Sequence, residues 1–230
     1  VFGDWSSDVC SSDLTQMPQT QFPPTSQQIP APLMMIPPNQ SYPGRGGLFD
    51  PSHNFYVLKE KFWDWGSGPI YDERGQQIGK MHRKIFSIRK RIEFQEMDGS
   101  IAAFIAMKLV AIRPTYDLHT PDEIRIARIS KPLLSIFRPK FELFDDAGNV
   151  LFTAFGKFFG WDFFICRGNE NDPSKCVGEI HKAERWRDVF LGGLMDFADT
   201  YALQIHDPTV DRRLMLGFVI AIDNVLHDSQ

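Results

Sequence analysis

The sequence predicts a mainly β domain: a closed antiparallel barrel of about ten to twelve strands over residues 49–228, wrapped around one hydrophobic helix near its C-terminus. Three observations predict it. Acidic turns ending in glycine recur between apolar runs, as tight hairpins require. Short apolar runs follow one another at roughly 8–12-residue spacing, and no stretch before residue 207 sustains a helical period. Beyond that point the chain is apolar on every side of a helix, which no surface helix can be.

The first 48 residues stand outside this pattern. Residues 1–14 read VFGDWSSDVCSSDL, with Ser-Ser-Asp at 6–8 and again at 11–13. The nucleotide string GAC GTG TGC TCT TCC GAT CT encodes residues 8–14 and resembles the end of a common sequencing adapter. These residues are therefore expected to be a translated library artefact and receive no functional reading. Residues 15–48 are rich in Pro, Gln, Ser and Thr, as in QTQFPPTSQQIPAP. Proline removes backbone donors and fixes φ, so this segment is expected to be a disordered, partly polyproline-like tail. It is a candidate ligand for a proline-recognising protein, although no PxxP with a flanking Arg stands out.

From Asn54 the strands begin. Phe55-Tyr56-Val57-Leu58 opens the first. Three segments then repeat one design: Ile70–Gly75 leads into Gln77–Met81, Phe94–Gly99 into Ile101–Ala106, and Leu143–Gly148 into Val150–Phe155. In each, Gly supplies positive φ and Asp accepts hydrogen bonds from the turn backbone. Residues 86–95 alternate, with Ile88, Ile92 and Phe94 against Arg89, Arg91 and Gln95. Further strands fit residues 115–119, 123–129, 140–144, 161–167, 176–181 and 200–205. Asp207-Pro208 is expected to start the helix at 208–226, with Asp as N-cap and Pro in the first turn. Asp211 adds negative charge near the positive end of the helix dipole. Leu214, Met215, Leu216, Phe218, Val219, Ile220 and Ile222 are then expected to form an enclosed core helix. A membrane span is the competing reading, and it fails because the apolar run of nine residues ends at Asp223 whereas spanning takes about 20.

Composition narrows the function. About 180 residues suffice for one domain burying roughly 70% of its unfolded-state surface. The 20 phenylalanines suit strands, and a net charge of −4 argues against a nucleic-acid partner. Cys166 and Cys176 flank nine residues with no metal-ligand spacing around them, so reduced thiols of an intracellular protein are expected. No secretory signal is visible. The six histidines, among them His82, His119, His181, His206 and His227, are scattered. No nucleophile lies in a recognisable signature and no Gly-rich loop opens a helix, so no catalytic residue, cofactor or metal is expected.

At this point the chain resembles the LURP-one-related proteins. The resemblance rests on Tyr56–Lys61, the Tyr71–Gly75 hairpin, Phe86-Ser87-Ile88-Arg89, Asp199-Thr200-Tyr201 and the closing Ala221–Asp228. It extends over residues 54–228 and implies the tubby C-terminal-like fold, a twelve-stranded barrel around a central helix. It also implies no established enzymatic activity, and some relatives are linked to defence or stress responses. Tubby domains bind phosphoinositides, but no local motif here carries their site across. Val177–Lys182 and the Asp223-containing helix are similar to phospholipid scramblases, whose cysteine-rich palmitoylation cluster is missing.

One basic segment stands out. Lys80, Arg83, Lys84, Arg89, Lys90 and Arg91, with His82, fall on two strands and form a candidate site for anionic lipid headgroups or inositol phosphates. Counted straight through, Lys80, His82, Lys84 and Lys90 take one parity and Arg83, Arg89 and Arg91 the other, so a turn or bulge must intervene for one ligand to meet both. An acidic group, Asp196, Asp199, Asp207 and Asp211, precedes the helix where scramblases are thought to bind calcium. It lacks the spacing of a calcium loop and is expected to serve turns and caps. Trp63-Asp64-Trp65 is expected to pack at a barrel end. The function expected is a cytoplasmic, non-enzymatic binding module, peripheral to membrane, that docks on anionic phospholipid. The alternatives are a scramblase-like lipid transporter and a protein-interaction scaffold.

Overall fold

The computed structural model describes residues 47–59, 67–84, 91–108, 115–130, 140–157, 162–182 and 200–227. Twelve strands run in chain order. The first six are β1 Phe55–Lys59, β2 Gly68–Tyr71, β3 Gln77–Lys84, β4 Arg91–Gln95, β5 Ile101–Met107 and β6 Thr115–His119. The second six are β7 Arg125–Ser130, β8 Lys140–Phe144, β9 Val150–Lys157, β10 Asp162–Arg167, β11 Cys176–Lys182 and β12 Thr200–Ile205. One helix follows, α1 Arg212–His227.

The repeated acidic turns become hairpin tips for the local reason the sequence suggests. At the β2–β3 turn, Gly75 takes φ 73° and donates to the Asp72 carbonyl at 3.0 Å. The Asp72 carboxylate accepts from the backbone of Arg74 at 2.9 Å and Gln76 at 2.8 Å. Asp145 with Gly148 repeats the device, and the 96–100 turn divides it, Gly99 donating to the Glu96 carbonyl while the Asp98 carboxylate accepts from Ser100 N; both glycines take φ 87°. The β6–β7 turn lacks glycine, and there Glu123 itself takes φ 63°.

Each strand pairs antiparallel with its neighbours in sequence, and β1 closes the ring on β12 in the register Phe55↔Gln204 to Lys59↔Thr200. Closure satisfies the edge groups that an open sheet would expose. Alternation then sorts the side chains. On β8, Phe141 and Leu143 point inward and are fully buried, while Lys140 and Glu142 point out.

Helix α1 fills the interior. The seven apolar residues expected in the core, from Leu214 to Ile222, are all buried, none more than 7% exposed. Burying each contributes about 1.5–3 kcal/mol, so expelling the helix would forfeit roughly 10–20 kcal/mol, as much as the roughly 5–15 kcal/mol net stability of an ordinary domain. Gly217 lets it sit close to β6: a Cβ there would lie 3.0 Å from both terminal methyls of Leu118. No helix among the described residues is long and apolar enough to cross a membrane.

The helix begins later than Asp207-Pro208 suggests. Asp207 closes a turn instead, accepting from the backbone of Val210 at 3.3 Å and of Thr209 at 2.9 Å. Pro suits the second position of such a turn as well as it suits a first helical turn, so the Asp-Pro pair by itself does not distinguish them. The N-cap is Asp211, whose carboxylate accepts from Arg213 N at 2.9 Å.

Residues 47–54 close the hairpin end of the barrel. Leu48 and Phe49 are fully buried, although Leu48 ends the Pro-rich stretch. Arg212, also fully buried, holds this segment to the start of the helix. Its guanidinium donates to the carbonyls of Pro51 at 2.6 Å and His53 at 2.8 Å, to Asn54 Oδ1 at 2.8 Å, and to the carbonyl of Val210.

Cys166 and Cys176 form a disulfide, contrary to the expectation of free thiols. They stand opposite each other across β10 and β11, a relationship set by register and invisible in their spacing. Residues 1–46, on which the expected adapter artefact and most of the expected tail with its candidate proline-recognising partner fall, lie outside the described residues, as do Trp63-Asp64-Trp65 and residues 86–90.

Candidate functional site

The basic segment forms a face on the outside of β3 and β4. Met81 points into the core, so Lys80, His82 and Lys84 point out, and all three are exposed. On β4, Ile92 and Phe94 point in, and Arg91 therefore points out, directly opposite Lys84. Straight counting had placed Arg91 on the other parity. A connection between strands resets that count, and the cross-strand register decides the face. Arg83 is the exception: it shares the parity of Met81 and pairs with the core residue Ile92, so it does not join the outer face. Arg89 and Lys90 lie outside the described residues.

At the centre of the face is a carboxylate that sequence reasoning missed. Glu93 is only 1% exposed although it points out of the barrel. Lys84 Nζ lies 2.7 Å and Arg91 Nε 3.1 Å from its Oε1, and Gln95 Nε2 donates to Oε2 at 3.1 Å. Burial works against its charge, but the hydrogen bonds from Lys84 and Gln95 and the charges of Lys84 and Arg91 outweigh it. Its carboxyl is held below the usual value of 4.5. Glu93 offsets one positive charge and fixes two long side chains that would otherwise be mobile.

Aromatic stacking fixes the rest. The Arg91 guanidinium carbon lies 3.5 Å from the centroid of Phe104, which is stacked on His119 at 4.9 Å and 5°. Glu93, Phe104 and His119 are direct partners across β4, β5 and β6. A second grouping of the same kind lies further round. Asp117 on β6 sits 3.1 Å from Lys108 Nζ and 3.0 Å from Arg128 Nε. The faint signal for Glu93 and Asp117 was a carboxylate within an otherwise apolar strand, Ile92-Glu93-Phe94 and Tyr116-Asp117-Leu118.

Chemically, this face offers ammonium and guanidinium groups at fixed positions, which suits an anion with several oxygens. The acidic group before the helix is different. Asp207 pairs with Arg167 at 2.7 Å and Asp211 with Arg213 at 2.6 Å. Burial opposes the charge of Asp207, yet the Thr209 hydroxyl and Arg167 hold its carboxyl below the ordinary range. Asp196 and Asp199 lie outside the described residues, and among the described residues no group of three or more His, Cys, Asp or Glu side chains is arranged to hold a metal ion. His181, which looked isolated in the sequence, has Nδ1 2.7 Å from Asp162 and Nε2 3.0 Å from Glu179.

A family model described as LURP-one-related matches residues 54–223. An X-ray structure of a protein from Arabidopsis thaliana is 12% identical and aligns with a TM-score of 0.48, covering 79% of this chain and 99% of that one. No curated protein matches the chain.

Proposed function

The chain belongs to the LURP-one-related family, and from that premise we propose that its barrel is a binding module, not an enzyme, that docks on anionic phospholipid headgroups. The observation that carries this reading is the common outward face of Lys80, His82, Lys84 and Arg91, with the last two pinned by Glu93. Pinned cations lose little freedom on meeting a headgroup, which favours binding.

Magnitude sets a limit. With Glu93 between Lys84 and Arg91 and Glu123 3.6 Å from Arg91, two of the three positive charges are offset, so the face presents a net charge of about +1, and each charge near an anionic leaflet is worth about 1 kcal/mol. That is roughly a fivefold gain, enough for weak, reversible attachment but too little for a stable anchor. A multiply phosphorylated headgroup fits better than a singly charged lipid, because each fixed cation then meets its own oxygens.

Liposome flotation at physiological salt tests the proposal. The domain should float with vesicles containing phosphoinositide and stay behind with pure phosphatidylcholine. Lys80→Glu combined with Lys84→Gln should abolish most of the difference. A domain that ignores phosphoinositide vesicles would sink the reading, and calcium-triggered redistribution of labelled lipid in proteoliposomes would replace it with lipid transport.

A further inference from the structure

The disulfide stands where the β10–β11 ladder slips. Ile165 pairs with Gly178 and Cys166 with Cys176, so Val177 is an extra residue on β11. Its carbonyl accepts from the backbone of His206 at 2.8 Å and of Asp207 at 3.3 Å. Beside Cys166, the Arg167 guanidinium donates to Asp207 at 2.7 Å and to the Thr209 hydroxyl at 3.1 Å. The β10–β11 tip therefore grips the turn at 207–210 from both strands. That turn leads directly into Asp211, the N-cap of the core helix, and into buried Arg212. Cys166 is fully buried. Cys176 is partly exposed, at the foot of a loop, 168–175, whose residues are all at least partly exposed.

We infer that Cys166–Cys176 is a reversible redox clasp that sets how firmly the start of the core helix is held. The inference is independent of the lipid reading above. A dithiol reductant opens the clasp by thiolate attack on the sulfur of Cys176, the partly exposed partner. The S–S bond breaks, the electron pair leaves on Cys166, and that thiolate takes the proton the attacking thiol gave up. The second thiol of the reductant then displaces Cys176 in the same way. Two electrons and two protons have passed to the domain, and the reductant is left as a disulfide. Both states suit one backbone. β9 holds β10 through six cross-strand pairs and β12 holds β11 through five, so the two sulfurs stay opposed when the bond is open. The Asp172 carbonyl lies 3.3 Å from Cys176 Sγ, an acceptor ready for the thiol of the reduced form. Reduction removes the covalent tie past the slip, where Cys166↔Cys176 is the last pair. Val177 and Arg167 then hold the 207–210 turn separately instead of jointly.

Hydrogen exchange of the full chain, oxidised and then reduced with dithiothreitol, tests the clasp. Iodoacetamide labelling and peptide masses establish the state of Cys166 and Cys176 in each sample. On reduction, exchange in residues 168–177 and 206–210 should rise about tenfold, while peptides from β3 to β5 and the circular dichroism spectrum stay unchanged. Re-oxidation with oxidised glutathione should restore the slow rates. Cys166→Ser with Cys176→Ser should exchange like the reduced chain and ignore dithiothreitol. If residues 206–210 exchange alike in both states, the bond is a fixed staple and the inference falls. It falls equally if dithiothreitol opens the bond only once the barrel unfolds, or if oxidised glutathione leaves the two thiols unpaired.

Discussion

The Lys84 ammonium lies 2.7 Å from a Glu93 carboxylate that points out of the barrel yet is buried. The pair stabilises the β3–β4 face and at the same time restrains its charge. Stability and anion affinity should therefore move in opposite directions when the carboxylate is removed.

Glu93→Gln is expected to lower stability by about 1–2 kcal/mol, because Lys84 and Arg91 lose a buried acceptor and Lys84 is itself half exposed. Vesicle binding should rise about fivefold as one negative charge leaves the face. Denaturant unfolding and flotation on the same samples read both effects, and a parallel fall would contradict the arrangement.

The same residue sets a pH dependence. The folded-state pKa of Glu93 is depressed, so its contribution to stability is present above the unfolded value near 4.5 and is lost as pH falls through the lower folded value. The stability gap between wild type and Glu93→Gln should be constant above about pH 5 and close progressively below pH 4.5. Urea midpoints across that range provide the measurement.

Arg212→Met is expected to cost about 3 kcal/mol or more. It leaves the buried carbonyl of Val210 and the partly buried carbonyls of Pro51 and His53 without their donor. Arg212→Lys should recover only a part, since a single ammonium cannot span acceptors that a planar guanidinium reaches together. Hydrogen exchange should show the loss first in residues 47–54.

The position of the helix start predicts unequal effects of two aspartates. Asp211→Ala removes both the N-cap and the pairing with buried Arg213, for a loss of about 3 kcal/mol. Asp207→Asn keeps its turn acceptor and loses only a partly exposed ion pair, for about 1 kcal/mol or less. Equal losses would place the cap at Asp207 after all.

Gly217→Ala should show coupling to Leu118. Alanine favours the helix by about 1 kcal/mol, but its Cβ meets both Leu118 methyls at 3.0 Å. In a Leu118→Val background the obstruction is gone, and the same substitution should be more favourable by about 1 kcal/mol. A double-mutant cycle by denaturant unfolding measures the difference.

Features that depend on near neighbours in the chain were legible in the sequence. Asp72 with Gly75 closes its own turn, alternation on β8 separates Phe141 from Glu142, and an all-round apolar stretch from Leu214 to Ile222 can only be interior. Those local rules sufficed for a barrel around a helix. Features that depend on register were not. Arg91 joins Lys84 on one face because β3 and β4 pair in that register, and Cys166 meets Cys176 for the same reason. Glu93 is buried by side chains from its own and adjacent strands, and Arg212 reaches acceptors 158–161 positions away in the chain. Periodicity reports which side of a strand a residue occupies, but only pairing across strands decides which charges stand together, and so what the outer surface can bind.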